Sequence, residues 1–302
     1  MKTTLALVAA LAFVPAEALA LETVKVADNV YAFVGELGQR SPTNFGNNAT
    51  FGLIVTADGA VLVDPGGSWK GAEELDKAVG AVTDQPVKIV IDTGGQDHRW
   101  LGNGYWRAKG ATIIASDAAI ADQHDRVSMQ FTMLTQLLGG ELAGTEAAYA
   151  DTTFAENHTL TLGGTTIEIH HPAPAHTPGD SFVWLPAENI VFTGDIVYVD
   201  RLLGVMDHSS SKGWIEAFDA FAALDPAHVV PGHGHPTTLE KARAETYDYL
   251  KNLRARIGEH LESGGDMIGA PKVDQSAFSG LAQFDALAGR NAQAVFAEME
   301  FE

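Results

Sequence analysis

The sequence predicts an α+β fold in which short strands build packed sheets and helices cover them. Three observations predict it. The 302 residues are 46% hydrophobic and 19% charged, enough apolar material for a large buried core. Short apolar runs alternate with helical periodicity over two successive stretches, from Val24 to Ser116 and from Thr152 to His235, so the chain reads as two similar halves. No Pro- or Ser-rich linker, repeat or low-complexity tract divides it, and residues 21–302 are expected to form one domain with a helical extension from about residue 237.

In chain order, Val30 to Gly35, Thr50 to Val55 and Ala60 to Asp64 read as strands. A helix follows from Trp69 to Val82, with Leu75, Val79 and Val82 on one face, before the buried strand Val87 to Ile91. A short helix around Gly104 to Lys109 leads to the strand Ala111 to Ala115. From Ser116 to about Gly139 an amphipathic helix carries Met129, Phe131, Met133, Leu134 and Leu137, which suits a helix packed on the sheet or a hydrophobic substrate flap. The second half offers strands at Thr159 to Leu162, Thr166 to His170, Phe182 to Leu185, Asn189 to Thr193 and His228 to Val230, with a helix from Trp214 to Leu224. A long helix is expected from Thr238 to Leu261, and the last 40 or so residues are interrupted by Gly.

Met1 and Lys2 precede an apolar run from Leu5 to Val14, and Ala18-Leu19-Ala20 supplies the small residues a signal peptidase reads. Residues 1–20 are therefore expected to be a signal peptide, and the mature chain to be exported. That run is short for a bilayer span and no later segment replaces it, so no membrane insertion of the mature chain is expected. Lys and Arg number 19 against 39 Asp and Glu, a net charge of -20 that disfavours nucleic acid as a partner and leaves a small-molecule substrate. Cysteine is absent, which excludes disulfides, thiolate ligands and a Cys nucleophile. Any metal site must use imidazole and carboxylate.

Residues of those two types end the predicted strands. Asp97-His98 follows Val87 to Ile91; His176 stands in Pro172-Ala-Pro-Ala-His-Thr-Pro-Gly-Asp180; Asp195 ends Phe192-Thr-Gly-Asp195; His233 lies in Val230-Pro-Gly-His-Gly-His235. Loops after strands converge at one edge of a packed sheet, which is how dispersed imidazoles and carboxylates reach one ion. With Asp64 after Val61-Leu-Val, these landmarks occur in the order of the metallo-β-lactamase superfamily, and the chain resembles that family from roughly Val30 to Pro236. The resemblance implies a four-layer αββα sandwich with metal at one edge and hydrolysis of β-lactams, thioesters, lactones or other esters. It also implies metal-site roles for Asp97, His98, His176, Asp195 and His233.

One departure shapes the functional expectation. Aligning Asp97-His98 puts Thr93 and Gly95, in Ile91-Asp-Thr-Gly-Gly-Gln-Asp-His98, where the family has two more histidines. In the family those histidines and the counterpart of His176 hold the first metal, while the counterparts of Asp97, His98 and His233 hold the second and that of Asp195 bridges. The resemblance then implies a mononuclear centre of Asp97, His98, Asp195 and His233 holding one ion, zinc or another divalent metal. Asp97, His176 and Asp92 are the catalytic candidates. His176, released from a metal, is placed to act as a general base or to orient substrate. Asp92 and Gln96, in the altered loop, either orient water and complete the coordination or cap the loop.

Asp64 is expected to brace the metal loop, and His235, like His170 and His171, to flank the centre without ligating it. Arg99 and Trp100 either line the pocket or close its base. The leading expectation is an exported metallohydrolase of a small ester, thioester, lactone or amide-like substrate. The alternative is a non-catalytic accessory or binding protein that keeps the fold and an ion. A narrower similarity, resting on the altered loop, export and the ending Asn291-Ala-Gln-Ala-Val-Phe-Ala-Glu298, is to periplasmic members associated with sulfur-oxidation or quinoprotein systems.

Overall fold

The computed structural model describes residues 21–302; the expected signal peptide lies outside the described residues. β1 (Glu22–Ala27), β2 (Val30–Val34), β3 (Thr50–Thr56), β4 (Gly59–Val63), β5 (Val87–Ile91), β6 (Thr112–Ser116) and β7 (Thr152–Phe154) form one seven-stranded sheet in sequence order. The strands from β1 to β4 pair antiparallel and those from β4 to β7 parallel. The second sheet has five strands in the order β12-β11-β10-β9-β8, from β8 (Asn157–Leu162), β9 (Thr165–His170), β10 (Phe182–Leu185), β11 (Ile190–Phe192) and β12 (His228–Val230).

Side-chain alternation builds the layers. Along β3 and β4, Ile54, Val61 and Val63 point inward to Ile167, Val183 and Phe192 of the second sheet. Leu53 and Leu62 point the other way, to Leu75 and Val79 of α1 (Trp69–Val82) and Trp106 of α2 (Asn103–Ala108). The outer face of the second sheet is covered by α4 (Ser211–Ala222), α6 (Asp248–Glu262) and α7 (Phe284–Met299), whose Trp214, Phe218, Leu250, Leu253, Val295 and Phe296 share one core with Phe182, Val191 and Val229. The result is the expected αββα sandwich.

Four elements differ from the sequence reading. β1 and β7 were not foreseen, because β1 is an edge strand with half its side chains in solvent and β7 has only three residues. The helix expected from Thr238 to Leu261 is divided into α5 (Leu239–Ala242), a π turn at Arg243–Tyr247 and α6. The Gly-interrupted end contains the sixteen-residue α7. α3 (Asp117–Leu138) is capped by Ser116 Oγ, which accepts from Ala119 N at 3.0 Å, and buries Leu134 and Leu138 against Trp100 and Leu101. It is a packed helix, yet Met129 remains 57% exposed. No described helix is long and apolar enough to cross a membrane.

Candidate metal centre

β5, β11 and β12 each end at the same edge of the sandwich, and the turns that follow carry His98, Asp195 and His233. Ligand atoms of these three buried side chains lie within 4.8 Å of one another. His98 Nε2 is 3.3 Å from Asp195 Oδ2, and His233 Nε2 is 3.2 Å from Asp195 Oδ1. The second separation lacks hydrogen-bond alignment, so both ring nitrogens of His233 are buried without a partner. The His233 ring stacks on Tyr198 at 4.4 Å between centroids and meets His98 edge-on at 5.0 Å.

A buried arginine anchors the cluster from below. Arg99 is fully buried: Nη1 donates to Asp64 Oδ2 at 2.7 Å and Thr50 O at 3.1 Å, while Nη2 donates to Asp195 Oδ1 and Gly232 O, both at 2.8 Å. Gly232 is required there, since a Cβ would press on Gly194 O and on Nη2 itself. Asp64 turns toward Arg99 from a left-handed backbone at φ 68° and accepts from Thr93 N and Oγ1, each at 2.8 Å. Burial by itself would raise the Asp195 carboxyl, but Arg99, with His98 and His233 beside it, holds it well below the usual carboxylate range. Burial pushes His98 down to about 4 and His233 well below the ordinary imidazole value, so both rings are neutral.

The sequence profile of the metallo-beta-lactamase superfamily matches residues 45–233. The chain belongs to the metallo-β-lactamase superfamily. The type 2 metallo-beta-lactamase of Elizabethkingia meningoseptica is 25% identical over 217 residues, covering 69% of this chain and 77% of that enzyme. The type 2 enzyme of Bacteroides fragilis is 29% identical over 114 residues, covering 36% of this chain and 43% of the relative, so the chain spans less than half the length of that one. Among solved structures, a metallo-beta-lactamase from Pontibacter korlensis superposes with a TM-score of 0.63 at 22% identity, over 77% of this chain and 99% of that one. FIM-1 of Pseudomonas aeruginosa, in its mono-zinc form, gives 0.62 at 16% identity, over 78% and 97%. These structures share the fold.

Within this superfamily member, the altered loop is filled. A Cβ on Gly95 would overlap the carboxylate of Asp122, which is itself paired with Arg126, and the Thr93 hydroxyl is committed to Asp64. An imidazole at position 95 would require that ion pair to move.

Of the residues expected at the centre, the fold brings three together and leaves two aside. Asp97 is fully buried but outside the cluster: Arg40 grips its carboxylate with Nε at 2.8 Å from Oδ2 and Nη2 on Oδ1, and Gln96 Nε2 donates to Oδ1 at 2.7 Å. Arg40, with these hydrogen bonds, overcomes the effect of burial and keeps Asp97 below the usual range. His176 lines the same cavity, with Nδ1 2.9 Å from Gly204 O, and burial pushes its ring down to about 4.

Asp92 does not line the cavity. It is fully buried, accepts from Asn103 Nδ2 at 2.8 Å, and burial raises it well above the usual range. His235 is 50% exposed and held by Asp200 at 3.0 Å and Glu22 at 3.2 Å, apart from the centre. Asp64 accepts hydrogen bonds from Arg99 and from Thr93 in the altered loop. Arg99 and Trp100 close the base.

Sequence reasoning missed Arg40, Tyr198 and Arg201, which line the cavity with His98, His176 and His233. Tyr198 donates its hydroxyl to Asp195 Oδ1 at 3.0 Å. Arg40 also donates from Nη2 to His98 Nδ1 at 2.9 Å. Since a guanidinium only donates, Nδ1 accepts and Nε2 carries the ring proton, the tautomer that cannot ligate through Nε2. Arg40 thus opposes a cation at His98 and withholds Asp97 from it. Arg40→Ala is expected to tighten zinc binding by about 10–100-fold, the scale on which groups behind metal ligands act. Competition with a chelating dye measures this; unchanged or weaker binding would show that Arg40 does not oppose the ion.

Proposed function

We propose that the protein is an exported, periplasmic hydrolase of a small ester, thioester, lactone or amide-like substrate, working with one divalent ion, zinc by preference, at His98, Asp195 and His233. The observation that carries this reading is the convergence of three buried ligand side chains, including a His233 with both nitrogens unpartnered, two of which, His98 and His233, line a cavity of 190 Å³. The donor set fits such an ion: two neutral imidazoles and a carboxylate held ionised by Arg99 leave at least one position open, the pattern of catalytic zinc. Asp97 is a further ligand only if Arg40 swings away. A bound ion would lower the pKa of a bound water and polarise a carbonyl.

The chain's own residues supply the remainder. Arg99 and Tyr198 both donate to Asp195 Oδ1 and fix that carboxylate, leaving Oδ2 beside His98 Nε2. His176 donates Nδ1–H to Gly204 O, so Nε2 keeps its lone pair as a proton acceptor beside the centre. Neutral at pH 7, the ring is competent to take a proton, though burial makes it a weaker base than a solvated imidazole.

Arg40 favours a second reading, a binding protein that keeps the fold and uses the site without turnover. Elemental analysis and a substrate panel on zinc-reconstituted protein separate the two. The expected result is close to one tightly bound ion per chain and hydrolysis of at least one ester class. Two equally tight ions would overturn the mononuclear centre, and one ion with no turnover on any ester would favour the binding protein.

A further inference from the structure

The chain carries a net charge of -20, yet the cavity at the centre is lined by three arginines and, among the described residues, by no aspartate or glutamate. Arg40 is committed to Asp97. The other two are not committed to any carboxylate. Arg201 donates only to the carbonyls of Leu202 and Gly38, both at 3.3 Å, and lies over the Tyr198 ring at 5.9 Å. Arg290, on α7, has no hydrogen bond or ion pair with any described residue.

Arg201 is half-buried and makes no ion pair with any described residue, so a negative group that enters the cavity would meet a partly desolvated cation there, while Arg290 reaches the same cavity from an exposed position. Burial already lowers the Arg201 guanidinium from its ordinary value, and Arg40 adds repulsion. The protein surface elsewhere repels anions, so this concentration of positive charge at one cavity is a local selection rather than a general property.

The cavity adjoins a larger cleft of 620 Å³, and Val205, Met206 and Arg290 line both. Three methionines line this outer cleft, and all are exposed: Met129 at 57%, Met206 at 39% and Met267 at 36%. Large apolar side chains left in solvent around a concave surface mark a place where apolar ligand is received, and thioethers adapt to varied shapes. Among the described residues Asp207 is the one acid lining the outer cleft, and it does not line the inner cavity. Arg40, Arg290 and Met267 lie outside residues 45–233, so two of the three arginines come from segments beyond the superfamily match, while Arg201, Met129 and Met206 lie within it.

We propose that the ligand of this site is an amphiphilic organic anion, its negative group held between Arg201 and Arg290 and its apolar body lying along Met129, Met206 and Met267. This deepens the hydrolase reading, because it names the substrate class as an ester or amide of an anionic, apolar molecule. Binding is nevertheless measurable without turnover.

Titration calorimetry on the mature chain, with hexanoate and hexanol as probes, tests it. Hexanoate is expected to bind at least about tenfold tighter than hexanol, a preference that added salt reduces. Arg290→Ala is expected to weaken hexanoate by about tenfold and leave hexanol unchanged, the loss of one charge-assisted contact. Arg290 is exposed and unpaired, so its removal does not threaten the fold. Arg290→Lys should restore part of the loss, and Met206→Ser should weaken hexanoate but not acetate. Equal affinity for the two probes, or an Arg290→Ala protein that binds hexanoate as the parent does, overturns the proposal. If hexanoate binds as expected and no ester is cleaved, the hydrolase reading fails while this one stands. If neutral and anionic esters are cleaved alike, the reverse holds.

Discussion

Replacing Arg99 by alanine is expected to destabilise the protein by about 3–5 kcal/mol, the cost of breaking a buried ion pair by removing one partner. The guanidinium is fully buried and its two terminal nitrogens serve four acceptors on four separate segments: Thr50 O on β3, Asp64 after β4, Asp195 after β11 and Gly232 after β12. Without it, two buried carboxylates lose their nearest positive charge and two carbonyls lose their donor. None of these groups can reach water, since Asp64 and Asp195 are at most 1% exposed. Arg99→Lys is expected to recover only part, because a single ammonium cannot span both carboxylates as the planar fork does. The measurement is the urea midpoint of the purified variants at neutral pH. A shift for Arg99→Ala within about 0.5 kcal/mol, the usual range of an indifferent surface change, would contradict the anchoring role.

Loss of a ligand imidazole should have the largest effect on activity. His98→Ala and His233→Ala are each expected to lose tight zinc and turnover together, because three protein ligands are the minimum of a catalytic site and either change leaves two. His233→Ala carries a further signature. Its ring nitrogens have no partners in the folded chain, so its removal leaves no other group unsatisfied. Stability in the metal-free state should therefore hold or change little, apart from lost packing on Tyr198, while zinc no longer raises the melting temperature. His176→Ala should separate the two effects, keeping the ion but lowering turnover by about 10²–10⁴-fold, as a positioned proton acceptor does. Metal content by elemental analysis beside kcat for the three variants is the test. A His233→Ala protein that still holds one tight zinc would show that the ion sits elsewhere.

The amino-acid sequence by itself determined most of the architecture and three residues that the fold brings together, His98, Asp195 and His233. Apolar alternation at Thr50 to Val55 and Ala60 to Asp64, and helical spacing at Leu75 and Val79, are local signals, and local signals survive into the fold because each face buries what its period predicts. His98, Asp195 and His233 were legible because each sits at the end of a strand in a recognisable order, and parallel strands of one sandwich must bring those ends to one edge.

Tertiary structure alone decided which of the neighbouring residues joined them. Asp97 is adjacent to His98 in sequence, but a 3₁₀ turn sends its carboxylate to Arg40, 57 residues earlier, instead of to the cluster. Nothing near Arg40, Arg201 or Arg290 marks them in sequence; each is an isolated arginine in a loop or on a helix that is brought to the cavity only when the layers close. The identity of the charge facing Asp97, His98 and the cavity is a property of contacts between distant segments, and a periodicity read along one segment carries no information about them.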